Sequence, residues 1–87
     1  MLTRYQAKEL GARGIRVNTL VPGAIATDFG GGAVRDNEQI NRAISAAIAL
    51  GRPGEADDIG AAVPLILADG FAWANGTRIE LSGGQNL

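Results

Sequence analysis

Gly14-Ile15-Arg16-Val17-Asn18-Thr19-Leu20-Val21-Pro22-Gly23-Ala24-Ile25-Ala26-Thr27 is the stretch on which the fold turns. A short apolar run stops at Pro22-Gly23, and Thr27 follows four residues after that glycine. Ile15 to Val21 reads as a strand bounded by Gly14 and Pro22. Its apolar residues fall on both faces, which places it in a parallel sheet covered by helices. In open α/β sheets a ligand sits just beyond the carboxyl ends of the strands. The loop from Pro22 to Thr27 is therefore where a ligand belongs.

Upstream, Leu2 to Leu10 reads as a helix of good helix formers, closed by Gly11 and Gly14. No N-cap residue precedes it, as though a longer helix had been cut. Downstream, Thr27 to Gly32 reads as a loop and Ala33 to Leu50 as a helix. Val34, Ile40, Ile44, Ala47 and Ile48 share one face of that helix, and Asp36-Asn37 caps its main portion. Gly51 to Glu55 forms a turn. Asp57 to Ala68 makes a third helix whose acidic first turn suits the helix dipole. Pro64 inside it predicts a kink or a restart. Phe71-Ala72-Trp73 is an apolar connector, with both aromatics expected in a core or interface. Asn75-Gly76 is a turn, and Thr77 to Leu81 alternates as a strand with one wetter face.

The order is helix, strand, helix, helix, strand. Two strands about 55 residues apart, joined mostly by helix, should be parallel. The fold class is α/β: a partial Rossmann-like unit of two parallel strands with crossover helices. Eighty-seven residues make a single domain at most. A chain of that size buries only about 60–65% of its unfolded surface. Stability is marginal, and association with other chains is attractive.

The sequence contains neither cysteine nor histidine. Disulfides, thiolate catalysis and zinc–sulfur sites are excluded, and the commonest general base is missing. The formal net charge of −1 gives no reason to expect nucleic acid or an anionic membrane as partner. No apolar run reaches the length of a membrane span, and no signal peptide is visible. A cytoplasmic location is the default expectation.

Several segments in order carry a resemblance. They are Leu2-Thr3-Arg4, Lys8-Glu9-Leu10, Gly14-Ile15-Arg16-Val17-Asn18, and Pro22-Gly23-Ala24-Ile25-Ala26-Thr27. Gly51-Arg52-Pro53-Gly54-Glu55-Ala56-Asp57-Asp58-Ile59 and Gly76-Thr77-Arg78-Ile79-Glu80-Leu81-Ser82-Gly83-Gly84 complete the set. Together they resemble the C-terminal third of a short-chain dehydrogenase/reductase. The resemblance implies that residues 2–11 end the helix carrying the family's catalytic tyrosine and lysine. Residues 15–21 and 77–82 are implied to be its last two sheet strands, and residues 28–50 the cover over the substrate.

For site residues the resemblance implies Pro22, Gly23, Ile25 and Thr27 as cofactor-binding. Backbone groups near Ile25 would meet the nicotinamide carboxamide, and the Thr27 hydroxyl the pyrophosphate. The family's cofactor is NAD or NADP, and this chain alone is expected to bind neither tightly. Its glycine-rich turn after a first strand is not found here. Nor is its Tyr-x-x-x-Lys dyad, since Tyr5 and Lys8 stand three apart rather than four. No catalytic residue and no metal ligand is assigned, and Tyr5 reads as a helix residue near a subunit or core contact.

Other motifs have competing readings. Gly30 to Gly32 is either an anion cradle at a helix start or a hinge, and the hinge fits better because no strand feeds it. Asp36, Glu38, Asp57 and Asp58 read as helix-end charges rather than a metal or acid/base site. Arg52 and Glu55 read as turn or interface contacts. A hydrolase site pairing Ser45 or Ser82 with Tyr5 and Lys8 is conceivable only if the fold unites them. A Ser-His-Asp triad is impossible without histidine.

A two-stranded sheet with a bare edge invites pairing with another chain. In the resembling family the last helix and strand make a two-fold contact. A homodimer or tetramer through residues 57–68 and 77–87 is expected on that basis. The alternatives are a self-associating, non-catalytic assembly module or a weak serine esterase.

Overall fold

The computed structural model describes residues 1–87. Helix α1 spans Leu2–Leu10 and closes through a 3-10 turn, Gly11–Arg13. Gly14 then reverses the chain with a φ of 72°, a left-handed conformation that glycine adopts without strain. Strand β1 is Thr19–Pro22 and strand β2 is Arg78–Leu81. They pair in parallel, with Thr19 opposite Arg78 and Pro22 opposite Leu81. Between them lie α2 (Ala33–Asp36), α3 (Glu38–Ala47), α4 (Ala56–Gly60) and α5 (Ala62–Leu67). Short 3-10 turns occupy Phe29–Gly32 and Asp69–Phe71. The two-stranded parallel α/β arrangement matches the sequence expectation.

β1 begins later than the apolar run predicts. Residues before Thr19 do not join the ladder because asparagine side chains take over the bonding. Val17 N donates to Asn75 Oδ1 at 3.0 Å, and Thr77 N donates to Asn18 Oδ1 at 3.1 Å. Asn18 Nδ2 in turn donates to the Ala74 carbonyl at 3.1 Å. The expected Asn75-Gly76 turn is thereby stitched to the strand entrance. β2 alternates exposed and half-buried positions, giving the one wetter face expected.

The long helix predicted over 33–50 is two helices and an extended exit. Asn37 breaks it: its side chain accepts hydrogen bonds from Gln39 N and Ile40 N, capping α3. Ile48 to Leu50 leave the helix and run against the C-terminal tail. The predicted 57–68 helix is likewise split at Ala61, two residues before α5 reaches Val63 and then Pro64. Pro64 is the third residue of α5, where a missing N–H costs nothing because first-turn donors have no helical partner.

The core is thin. Ala7, Ile48 and Pro53 are the only buried apolar side chains. Ala7 sits beneath Gly76, and Ile48 beneath Gly83. Tyr5 is 68% exposed and Trp73 99% exposed, so neither is a core residue of this chain. Phe71 is also open to solvent. The chain exposes 6403 Å², against about 4,800 Å² for a folded monomer of its 8.9 kDa mass. Its radius of gyration is 15.6 Å, where about 12 Å is usual for this length. No helix is long and apolar enough to cross a membrane.

Candidate functional site at the strand ends

A cleft of about 220 Å³ opens beyond the carboxyl ends of both strands. Ala24, Ile25 and the adjacent Gly54 line it together with Leu81, Ser82 and Gly83, and with Arg52 and Asp58. The parallel pairing continues past β1 into this cleft. Gly23 N donates to the Leu81 carbonyl at 3.0 Å. Ile25 then bridges Gly54, with Ala26 N to Gly54 O at 2.8 Å and Gly54 N to Ala24 O at 2.9 Å.

Two glycines make this approach possible. A Cβ on Gly23 would lie 2.7 Å from Ser82 Cβ and 2.9 Å from Ser82 Cα. One on Gly54 would lie 2.6 Å from Ile25 Cδ1 and push that side chain out of the cleft. Pro22 ends β1 and supplies no donor, so the chain turns outward without leaving an unpaired N–H.

All four residues predicted to bind a cofactor lie in this one loop. Pro22 is exposed, whereas Gly23, Ile25 and Thr27 are partly covered. The Ile25 carbonyl accepts from Thr27 N at 3.0 Å, but the Ile25 N–H donates to no acceptor in the chain. Thr27 Oγ1 accepts from Phe29 N at 3.3 Å and keeps its own proton to give.

A charged pair lines the cleft. Arg52 Nη1 meets Asp58 Oδ2 at 2.8 Å, and Arg52 Nη2 meets Asp58 Oδ1 at 3.2 Å. Glu55 N adds a bond to Asp58 Oδ2 at 2.7 Å. The Arg52 guanidinium, then the Glu55 amide, hold the Asp58 carboxyl down at about 2, and Asp58 in turn holds the Arg52 guanidinium above its ordinary value. Sequence reasoning treated Arg52 as a turn contact and Asp58 as a helix-end charge. The structure joins them into one pair lining the cleft.

Gln85 makes a contact that carries no signal in the sequence. Its side-chain oxygen accepts from Ala24 N at 3.0 Å across 61 residues of sequence. Arg35 makes a second charged cluster at the loop after Thr27, bonded to Asp28 and Asp36. It lowers the Asp36 carboxyl below its usual range.

The other candidates are dispersed. Tyr5 and Lys8 line a separate shallow groove on α1 with Met1 and Arg4. Ser82 lies in the main cleft and accepts from Gln85 N, while Ser45 bonds Asn41 within α3. Gly30 and Gly31 adopt left-handed conformations inside a 3-10 turn. No group of three or more carboxylates converges in the way a metal ion requires.

A family model described as Enoyl-(Acyl carrier protein) reductase matches residues 1–86. A short-chain dehydrogenase/reductase of Botryotinia fuckeliana is 38% identical over 86 residues, covering 95% of this chain and 33% of that protein. The chain belongs to the short-chain dehydrogenase/reductase family. A 3-oxoacyl-[acyl-carrier-protein] reductase of Haemophilus influenzae is 42% identical over 81 residues, covering 93% of this chain and 32% of that one. A 4-hydroxyisoleucine dehydrogenase solved in complex with NADH superposes with a TM-score of 0.85 at 28% identity, over 95% of this chain and 34% of that one. The short-chain dehydrogenase/reductase chain described here thus spans about a third of the length of the relatives it matches. Its two strands and helices have the Rossmann-type architecture of those structures.

Proposed function

We propose that this chain supplies the nicotinamide-facing wall of an NAD(P)-dependent oxidoreductase acting on an alcohol or carbonyl. One observation carries the reading. At the strand ends, the Ile25 N–H lies unspent in a loop that the Gly23 and Gly54 contacts hold in place. A carboxamide oxygen is the natural acceptor for such a donor. Thr27 has a hydroxyl proton free for a phosphate oxygen, as family resemblance implies.

The residues fit one part of the cofactor. Ile25, Ile59 and Leu81 give the cleft apolar walls for a ring. The cleft's 220 Å³ falls below the roughly 300–1,000 Å³ of a typical ligand pocket. It takes a ring with its carboxamide rather than a dinucleotide. When bound, the cofactor gives or accepts the hydride. This chain's residues orient its ring; none of them is placed to move the proton.

Hydride-transfer assays with NADH and NADPH across common ketones and alcohols should show no turnover by this chain alone. Activity should appear on mixing with a separately made segment of a related reductase carrying a glycine-rich turn and a Tyr-x-x-x-Lys dyad. In that mixture Thr27→Val should weaken NADH binding. Turnover by the unassisted chain, or a mixture that stays inert, overturns the proposal.

A second reading, assembly, is supported by the exposed apolar side chains on α5, Leu65 at 66% and Leu67 at 71%. We propose a homodimer or tetramer through residues 57–68 and 77–87, in a cytoplasmic setting. The two readings are compatible, since both place the exposed faces against other polypeptide.

A further inference from the structure

Gln85 stands where three pieces of the chain meet. Its Oε1 accepts the Ala24 N–H in the loop after β1. Its own N–H reaches Ser82 Oγ at the end of β2. Its backbone forms an antiparallel bridge with Ile48, the buried residue that ends α3. That bridge is flanked by Ala49 N to Gly84 O at 3.0 Å and Asn86 N to Ala47 O at 2.7 Å. The tail is therefore sewn to the α3 exit by backbone, and to the strand-end loop by one carboxamide.

Ala24 is fixed at both polar groups. Gly54 N holds its carbonyl, and Gln85 holds its N–H. Ile25, with the unspent N–H, comes next in the chain. The direction of that donor depends on the Ala24–Ile25 peptide plane, because a planar peptide turns as one unit. Room for the arrangement comes from Gly23, whose Cβ would stand 2.8 Å from Gln85 Oε1.

We infer that Gln85 is the positioning residue of the Pro22–Thr27 loop: its carboxamide holds the Gly23–Ala24 peptide, Gly54 N holds the adjoining Ala24–Ile25 peptide that carries the Ile25 N–H, and Gln85 ties the pair to the α3 exit. The purpose rests on the cofactor reading above, but the latch itself is a matter of local geometry and is tested without cofactor.

Hydrogen exchange of the isotope-labelled full chain, followed by NMR, reads it directly. Gln85→Leu keeps a branched side chain and removes the acceptor; Gln85→Glu keeps an oxygen in place. In Gln85→Leu the Ala24 amide should exchange about tenfold faster, the scale of one lost hydrogen bond. The Thr19 and Gly76 amides, bonded to Thr77 O and Val17 O, should keep their rates. Gln85→Glu should restore Ala24 protection. An unchanged Ala24 rate in Gln85→Leu, equal acceleration at Thr19, or no rescue by glutamate overturns the inference. Titrating NADH into the mixture with the complementing reductase segment, while watching the Ile25 amide of the labelled chain, tests the cofactor reading separately. A silent titration beside a positive exchange result would sink that reading and leave the latch standing.

Discussion

Gly23 has no room for a side chain. A Cβ there would meet Ser82 Cβ at 2.7 Å and the Ser82 backbone at 2.9 Å, and neither belongs to a flexible tip. Gly23→Ala must move β1 away from the β2 exit. Overpacking of this kind costs about 1–3 kcal/mol. Gly60 is the natural contrast: it lies within α4, and nothing stands within 4 Å of an added Cβ. Gly60→Ala should be neutral or stabilising by up to about 1 kcal/mol, since alanine is the better helix former. Urea unfolding midpoints of the two variants should therefore move in opposite directions, or Gly23 alone should fall. Equal losses at both sites would show that crowding at Ser82 is not what restricts position 23.

At the level of elements, the Asp58 carboxyl anchors the start of α4. Asp58 receives Arg52 from the preceding turn and the Glu55 N–H at the helix start. Its folded-state value is about 2, below its ordinary 3.8. A depressed carboxyl favours the folded state above its unfolded value and loses that advantage on protonation. The contribution is whole above about pH 4 and drains away as pH falls toward 2. Thermal midpoints measured between pH 5 and 2 should fall more steeply for the unmodified chain than for Asp58→Asn. Asp36, also held low by Arg35, adds the same acid slope to both proteins and cancels in the comparison. Parallel curves would remove Asp58 from the account.

Elements also show which parts of the fold the sequence made legible. Pro22-Gly23 and Asn75-Gly76 announce turns through backbone chemistry that acts within a few residues. Asn37 was readable as a cap for the same reason. The late start of the ladder at Thr19 was not readable, because Asn18 and Asn75 replace backbone partners across 58 and 59 residues of sequence. The Ile48 exit looked helical because its partner is the distant Gln85. Of the candidate site, the Pro22–Thr27 loop was visible as one motif, and of its four expected cofactor residues Ile25 alone lines the cleft. The Arg52–Asp58 pair and Gln85 exist only once the strand ends converge.

At the scale of the whole molecule, exposed area decides the argument. The chain shows about 1,600 Å² more surface than a monomer of its mass normally does. A standard interface removes about 800 Å² from each partner. The excess thus corresponds to two ordinary contacts per chain, or one large one. Trp73, Leu65 and Leu67 are prominent in it, at 99%, 66% and 71% exposure. Sedimentation at micromolar concentration should show species heavier than the 8.9 kDa monomer. Because the surface is apolar, added sulfate should strengthen the association rather than screen it. Leu65→Arg with Leu67→Arg places two cations on α5 and should shift the distribution toward monomer. A compact monomer from the unmodified chain would end the assembly proposal. Association that survives both arginines would move the contact off α5 and onto the open edge of β1, where the Leu20 N–H and carbonyl face away from β2.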